Sequence, residues 1–159
     1  MKRLKQIDKK LYRGSHPVTE SDFDALANQL GIKLIINLES GIWERFKGDI
    51  NFETEQAAKF GMDVIHLHMS YILPPAKHEL DTALKIIKTH LDKGEAVFFH
   101  CYSGVDRTGF VAAAYKFMMR NDENENMSVN DIIKDLWVNG FHWWYWWWLS
   151  SLKKYLEIK

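Results

Sequence analysis

The run AVFFHCYSGVDRTGF, residues 96–110, constrains the fold more than any other stretch of the chain. Four apolar residues of strand character, Ala96 to Phe99, lead into a short glycine-bearing loop, and a helical run follows Arg107 directly. Cys101, the only cysteine, stands where strand gives way to loop. A strand–loop–helix unit sets its loop at the carboxyl end of the strand, where open α/β sheets bind ligands. The residue types in the loop then indicate which ligand. Thiolates, the nucleophilic form of cysteine, are favoured at helix N-termini and beside cations. Arg107 offers a planar fork for two anionic oxygens. The amides of Tyr102, Ser103, Gly104 and Val105, up to Arg107, can curl into an anion nest on the helix dipole. That combination suits capture and attack of a phosphate monoester.

The rest of the chain supplies alternating elements. Ile7 to Arg13 predicts a first edge strand. Thr19 reads as an N-cap ahead of Phe23, Leu26, Ala27 and Leu30 at helical spacing, with Gly31 as the stop. Lys33 to Leu38 is an apolar run of strand length. Phe52 to Phe60 predicts a helix ending at Gly61, and Val64 to Met69 a further strand. Leu80, Ala83, Leu84, Ile87 and Leu91 mark a helix closed by Gly94. Phe110 to Met119 is apolar on nearly every face, as in a helix at the centre of a domain. Ser128, with Asp131 three places on, opens another helix through Trp137. The expected fold is α/β: a single domain over residues 1–159, with a mostly parallel central sheet flanked by helices.

Composition narrows the function classes. The 159 residues carry 21 basic and 21 acidic side chains, so no global field draws the protein onto nucleic acid or an anionic surface. A lone cysteine excludes an internal disulfide. The opening MKRLKQIDKKLYRG lacks the apolar stretch of a signal peptide, and no apolar run is long and uncharged enough to span a bilayer. A cytoplasmic location is the expectation.

The loop HCYSGVDRTG resembles the phosphate-binding loop of the cysteine-dependent protein tyrosine phosphatase superfamily, in its small, dual-specificity-like branch. The opening LYRGSHPVTESDFDALANQLGIKLIINLES is similar to that branch too, and the likeness extends to about Asn139. The resemblance implies a dual-specificity-phosphatase-like fold and a phosphatase that needs no cofactor. Cys101 is then the nucleophile that forms a phosphocysteine intermediate, and Arg107 with the loop amides holds the equatorial oxygens. His100 is implied as a structural support of the loop. Gly104 and Gly109 are expected to provide loop conformation and close helix–strand approach. Thr108 either donates to the thiolate or makes a local backbone bond at the helix start.

The general acid is where the chain departs from the family pattern. Many relatives carry an Asp on a mobile loop after the preceding strand, yet HLHMSYILPPAKHELD holds none between His66 and Leu80. Glu79 and Asp81 read better as partners of a helix N-terminus. Asp106 is the alternative, since Asp-Arg-Thr within the loop is similar to myotubularin-like and some bacterial phosphatases. It is either the acid or a carboxylate that braces Arg107 or neighbouring loops. Arg13, Arg45, Lys47, Lys77 and His78 are candidates for a basic substrate rim, with Ser15 in a segment that resembles one near the reactive loop. His66 and His68, at alternate strand positions, read as core or rim histidines rather than metal ligands.

Residues 141–159 form a tryptophan-rich end. An amphipathic terminal helix packing through Trp144, Trp148, Leu152 and Tyr155 is the first reading. An aromatic platform beside the site is the second, and peripheral membrane contact the third. The substrate expectation leans to inositol polyphosphates or phosphoinositides, as in phytase-like and myotubularin-like phosphatases. Tyrosine-phosphorylated or other phosphoproteins are the alternative substrates. A phosphate-binding module with little turnover is a rival from another class, and sulfur transfer or arsenate reduction a more distant one.

Overall fold

The computed structural model describes residues 1–40, 50–119 and 127–158. The molecule is built around β5 (Ala96–Cys101), whose six residues are all buried. Its neighbours β2 (Leu11–Ser15) and β3 (Ile32–Asn37) run parallel to it, and β4 (Asp63–His66) pairs in parallel with β3. β1 (Lys5–Asp8) closes the far edge antiparallel to β2, giving the order β1-β2-β5-β3-β4 among the described residues.

Side-chain alternation along these strands divides the core into two layers. Ile35 and Phe98 face α1 (Glu20–Asp24, continued by a π turn at Ala25–Gln29) and α2 (Ile50–Lys59). Leu34, Ile36, Val97 and Phe99 face the other side. That side is covered by α3 (Lys77–Asp92), α4 (Asp106–Met119), α5 (Val129–Val138) and α6 (Trp148–Ile158). As its all-round apolarity predicts, α4 lies inside, with residues 106–115 and Phe117 buried. Thr19 and Ser128 both cap through their side chains, onto the amides of Asp22 and Asp131.

Two expectations need correction. Ile7 to Arg13 is not one edge strand. The chain turns at Lys9 and Lys10, and β2 lies inside the sheet between β1 and β5. The strand expected over Val64 to Met69 ends at His66, after which only Leu67 adds a bond, to the Asn37 carbonyl at 2.8 Å. No helix among the described residues is long and apolar enough to cross a membrane. β5 lies between β2 and β3, so the carboxyl ends of these three parallel strands, at Ser15, Asn37 and Cys101, open on one edge. The reactive loop stands there.

Candidate active site

β5 carries Cys101 to the floor of a cavity of about 420 Å³ and leaves it 1% exposed. α4 begins at Asp106, so Arg107 occupies the first helical turn rather than preceding it. Gly104 adopts φ +71°, a left-handed conformation that side chains resist. A Cβ there would lie 2.5 Å from the Gly14 carbonyl carbon and oxygen, so the loop seats directly on β2. Gly109 has no such need, because a Cβ at that position would meet Leu136 at an ordinary 3.6 Å. The expectation of a close approach holds for Gly104 and fails for Gly109.

Arg13 is not on a substrate rim. Its side chain is buried, and its guanidinium donates to the carbonyl oxygens of Gly104 at 2.8 Å and Val105 at 3.4 Å. It braces the loop from behind, on β2, whose Ser15 pairs with Cys101. Arg107 lines the cavity and is anchored by Nη1, which donates to the carbonyls of Leu38 and Met69, each at 3.3 Å. The Thr108 hydroxyl is buried with no hydrogen-bond partner among the described residues, so neither bond expected of it is formed here.

His100 stands at the centre of a buried charge network. Its Nε2 meets Glu53 Oε1 at 2.6 Å, and its Nδ1 lies 3.6 Å from Glu39 Oε1. Glu39 also binds His16 Nδ1 at 2.8 Å, and Asn37 Nδ2 donates to Glu53 at 2.5 Å. Burial alone would lower the His100 pKa, but the charge of Glu53 and the nearness of both carboxylates raise it to about 10. Burial would conversely raise Glu39, yet His100 and His16 hold it at about 2. An imidazolium therefore sits one residue behind the cysteine. His16, Glu39 and His100 also bring potential metal-ligand atoms within 4.8 Å of one another. Each is already committed to an ion pair, which fits a charge network better than a metal centre. His66 and His68 stack with ring centroids 6.3 Å apart, and burial lowers the His66 pKa.

Asp106 faces the cavity and accepts twice from one residue. The His142 amide donates to Oδ1 at 3.0 Å, and His142 Nδ1 meets Oδ2 at 2.7 Å. His142 lies in the cavity wall beside Tyr102 and Ser103. Tyr71, Trp144, Tyr145 and Trp148 complete it as an aromatic surround. Tyr145 and Trp148 pin the loop opposite, donating to the carbonyls of Tyr71 at 2.8 Å and Ile72 at 3.1 Å. Of the residues named for the core-packing helix, Trp148, Leu152 and Tyr155 are buried, whereas Trp144 is half exposed and serves the cavity instead. The tail is therefore both terminal helix and platform.

Among the described residues no basic rim assembles at the cavity. Lys77 pairs with Asp81 at 2.6 Å along α3, and neither Lys77 nor His78 is in the cavity wall. Arg45 and Lys47 lie outside the described residues. The residues that sequence reasoning passed over are His16, Glu39, Glu53 and His142, each matched to a partner distant in the chain. The one available signal was a glutamate within the Asn-Leu-Glu end of an apolar strand, where burial demands a counter-charge.

Comparison with curated proteins found no match. Among solved structures, Tk-PTP in its active form superposes with a TM-score of 0.74 at 19% identity, covering 97% of this chain and 96% of that one. PTPMT1 gives 0.73 at 18% identity, covering 98% and 94%. The core catalytic domain of the PP-IP phosphatase SIW14 from S. cerevisiae gives 0.72 at 18%, covering 98% and 84%. These likenesses establish the fold, of the dual-specificity-phosphatase kind. The family model that describes a DSP-PTPase phosphatase of polymorphic toxin systems, Tc-R-P, matches residues 7–121. That match spans most of the chain and the whole reactive loop, and it makes this protein a member of the DSP-PTPase family and a phosphoric monoester hydrolase.

Proposed function

We propose that the protein hydrolyses a single phosphate monoester borne on a ring, as in phosphotyrosyl groups, through a phosphocysteine intermediate. One observation carries the substrate class. The cavity above Cys101 and Arg107 is walled by Tyr71, Tyr102, Trp144, Tyr145 and Trp148, and among the described residues its basic members are Arg107 and His142. Aromatic walls favour a flat, partly apolar group between them. A polyphosphate would call for more cations than this wall supplies.

In the first step the Cys101 sulfur attacks phosphorus in line. The S–P bond forms as the P–O bond to the leaving group breaks, and the leaving oxygen takes a proton. Arg107 and the loop amides hold the three equatorial oxygens while charge spreads over them. Water then attacks phosphorus, the S–P bond breaks, and phosphate departs from a regenerated thiolate.

A second reading has a specific support. PTPMT1, which shares the fold, has been solved in complex with PI(5)P, and SIW14 is described as a PP-IP phosphatase. An inositol phosphate substrate would need further cations beside Arg107 and His142. The test is kcat/KM for phosphate release from a phosphotyrosyl peptide and from inositol hexakisphosphate, side by side, with Cys101→Ser as control. The peptide is expected to be preferred, with release abolished in the variant. A preference for the inositol compound would establish the second reading. No Cys101-dependent release from either would point to a phosphate-binding module.

A further inference from the structure

We propose that His142 is the general acid of the reaction and that Asp106 is the residue that positions it; the inference rests on the phosphatase reading above. Asp106 accepts hydrogen bonds at both carboxylate oxygens, from the amide and from Nδ1 of His142. Both oxygens are thus engaged by His142. The same two contacts fix the imidazole, since one holds the backbone and the other the ring. With Nδ1 so engaged, Nε2 is the free edge, and it has no hydrogen-bond partner among the described residues. Trp144 stacks on the ring at 4.4 Å between centroids and 16° between planes, holding its orientation. The ring lies in the wall of the cavity that holds Cys101 and Arg107 and is partly open to it.

The usual source of an acid offers nothing better. Ahead of α3, Glu79 turns back to accept from the Ala76 amide at 2.6 Å. Asp81 is engaged by Lys77 and by the Tyr155 hydroxyl. A histidine aligned through Nδ1 by a carboxylate is a common device for moving a proton at Nε2. As the P–O bond breaks, the His142 imidazolium gives its Nε2 proton to the leaving oxygen. In the second step the neutral ring takes a proton from the attacking water, which restores the imidazolium.

The test compares His142→Gln and Asp106→Asn on a dinitrophenyl phosphate, whose leaving group needs no proton, and on a phosphotyrosyl peptide, whose leaving group does. For His142→Gln, kcat/KM is expected to fall about 100-fold or more on the peptide and less than about 10-fold on the aryl ester. Vanadate binding, unchanged from the parent protein, would show that the site still folds. The alkaline limb of the peptide's kcat/KM profile, where the acid loses its proton, is expected to disappear in His142→Gln. The titratable and charged groups facing His142 are Asp106, Arg107, Cys101, Tyr71 and Tyr145, so Asp106→Asn is expected to move that limb without removing it. Equal losses on both esters would overturn the proposal and leave His142 a structural role. A selective loss confined to Asp106→Asn would also overturn it and make Asp106 the acid. Absence of Cys101-dependent turnover of the aryl ester by the parent protein would contradict the phosphatase reading itself.

Discussion

At position 104 a side chain has nowhere to go, because the Gly14 carbonyl stands 2.5 Å from where its Cβ would lie and φ is already +71°. Gly104→Ala is expected to cost about 1–3 kcal/mol through backbone strain and overpacking. It should weaken vanadate binding as the loop lifts from β2, read by Tm and by titration. Arg13 gives a sharper contrast. As a brace for the carbonyls of Gly104 and Val105, its loss in Arg13→Ala is expected to lower stability by about 1–3 kcal/mol, because buried acceptors lose their donor. A solvated rim arginine would change KM and leave Tm alone. Cys101, Gly104 and Arg107 were legible in the sequence because they stand together within one short loop. Arg13 was not, because the acceptor it serves lies 91 residues away. His142 was hidden for the same reason, since its partner Asp106 is 36 residues off and only the fold brings them together.

Between elements, the charge network of β5, the end of β3 and α2 gives the fold a pH signature. His100 has an ordinary pKa of 6.5 and a folded value of about 10. Its contribution is therefore complete below pH 6.5 and is lost as pH rises toward 10. Glu39 runs the other way, with an ordinary 4.5 and a folded value of about 2. Its contribution is complete above pH 4.5 and is lost as pH falls toward 2. Tm is expected to be highest between these two limits, with an alkaline decline that flattens in His100→Asn. An unchanged alkaline slope in that variant would contradict the assignment. At this scale the helices were the readable part. α3 shows its apolar periodicity and α4 its apolarity on every face, and Thr19 and Ser128 announce their caps. The β1–β2 hairpin was missed because its turn, Asp8 to Lys10, carries neither glycine nor proline to mark it.

For the molecule as a whole, the tryptophan-rich end joins stability to the site. Trp148 is fully buried, packs edge-on against Phe110 at 5.6 Å and touches Tyr145 at 4.3 Å, while its indole N–H holds the Ile72 carbonyl. Trp148→Ala is expected to cost about 3–5 kcal/mol and to loosen the cavity wall with it. Trp144→Ala, half exposed, should spare Tm and raise KM for the phosphotyrosyl peptide. The cluster of indoles was plain in the sequence, but their division between core and cavity was not, because a 3-10 turn at Trp143–Tyr145 breaks the helical spacing ahead of α6. All of this converges on one thiol. The measurement that tests the account most directly is acid quenching of the enzyme during turnover of an aryl phosphate, followed by mass spectrometry of the peptide that contains Cys101. The account predicts phosphate bound covalently to Cys101, formed before the steady state and absent from Cys101→Ser. Phosphate release at the parent rate by Cys101→Ser would contradict it.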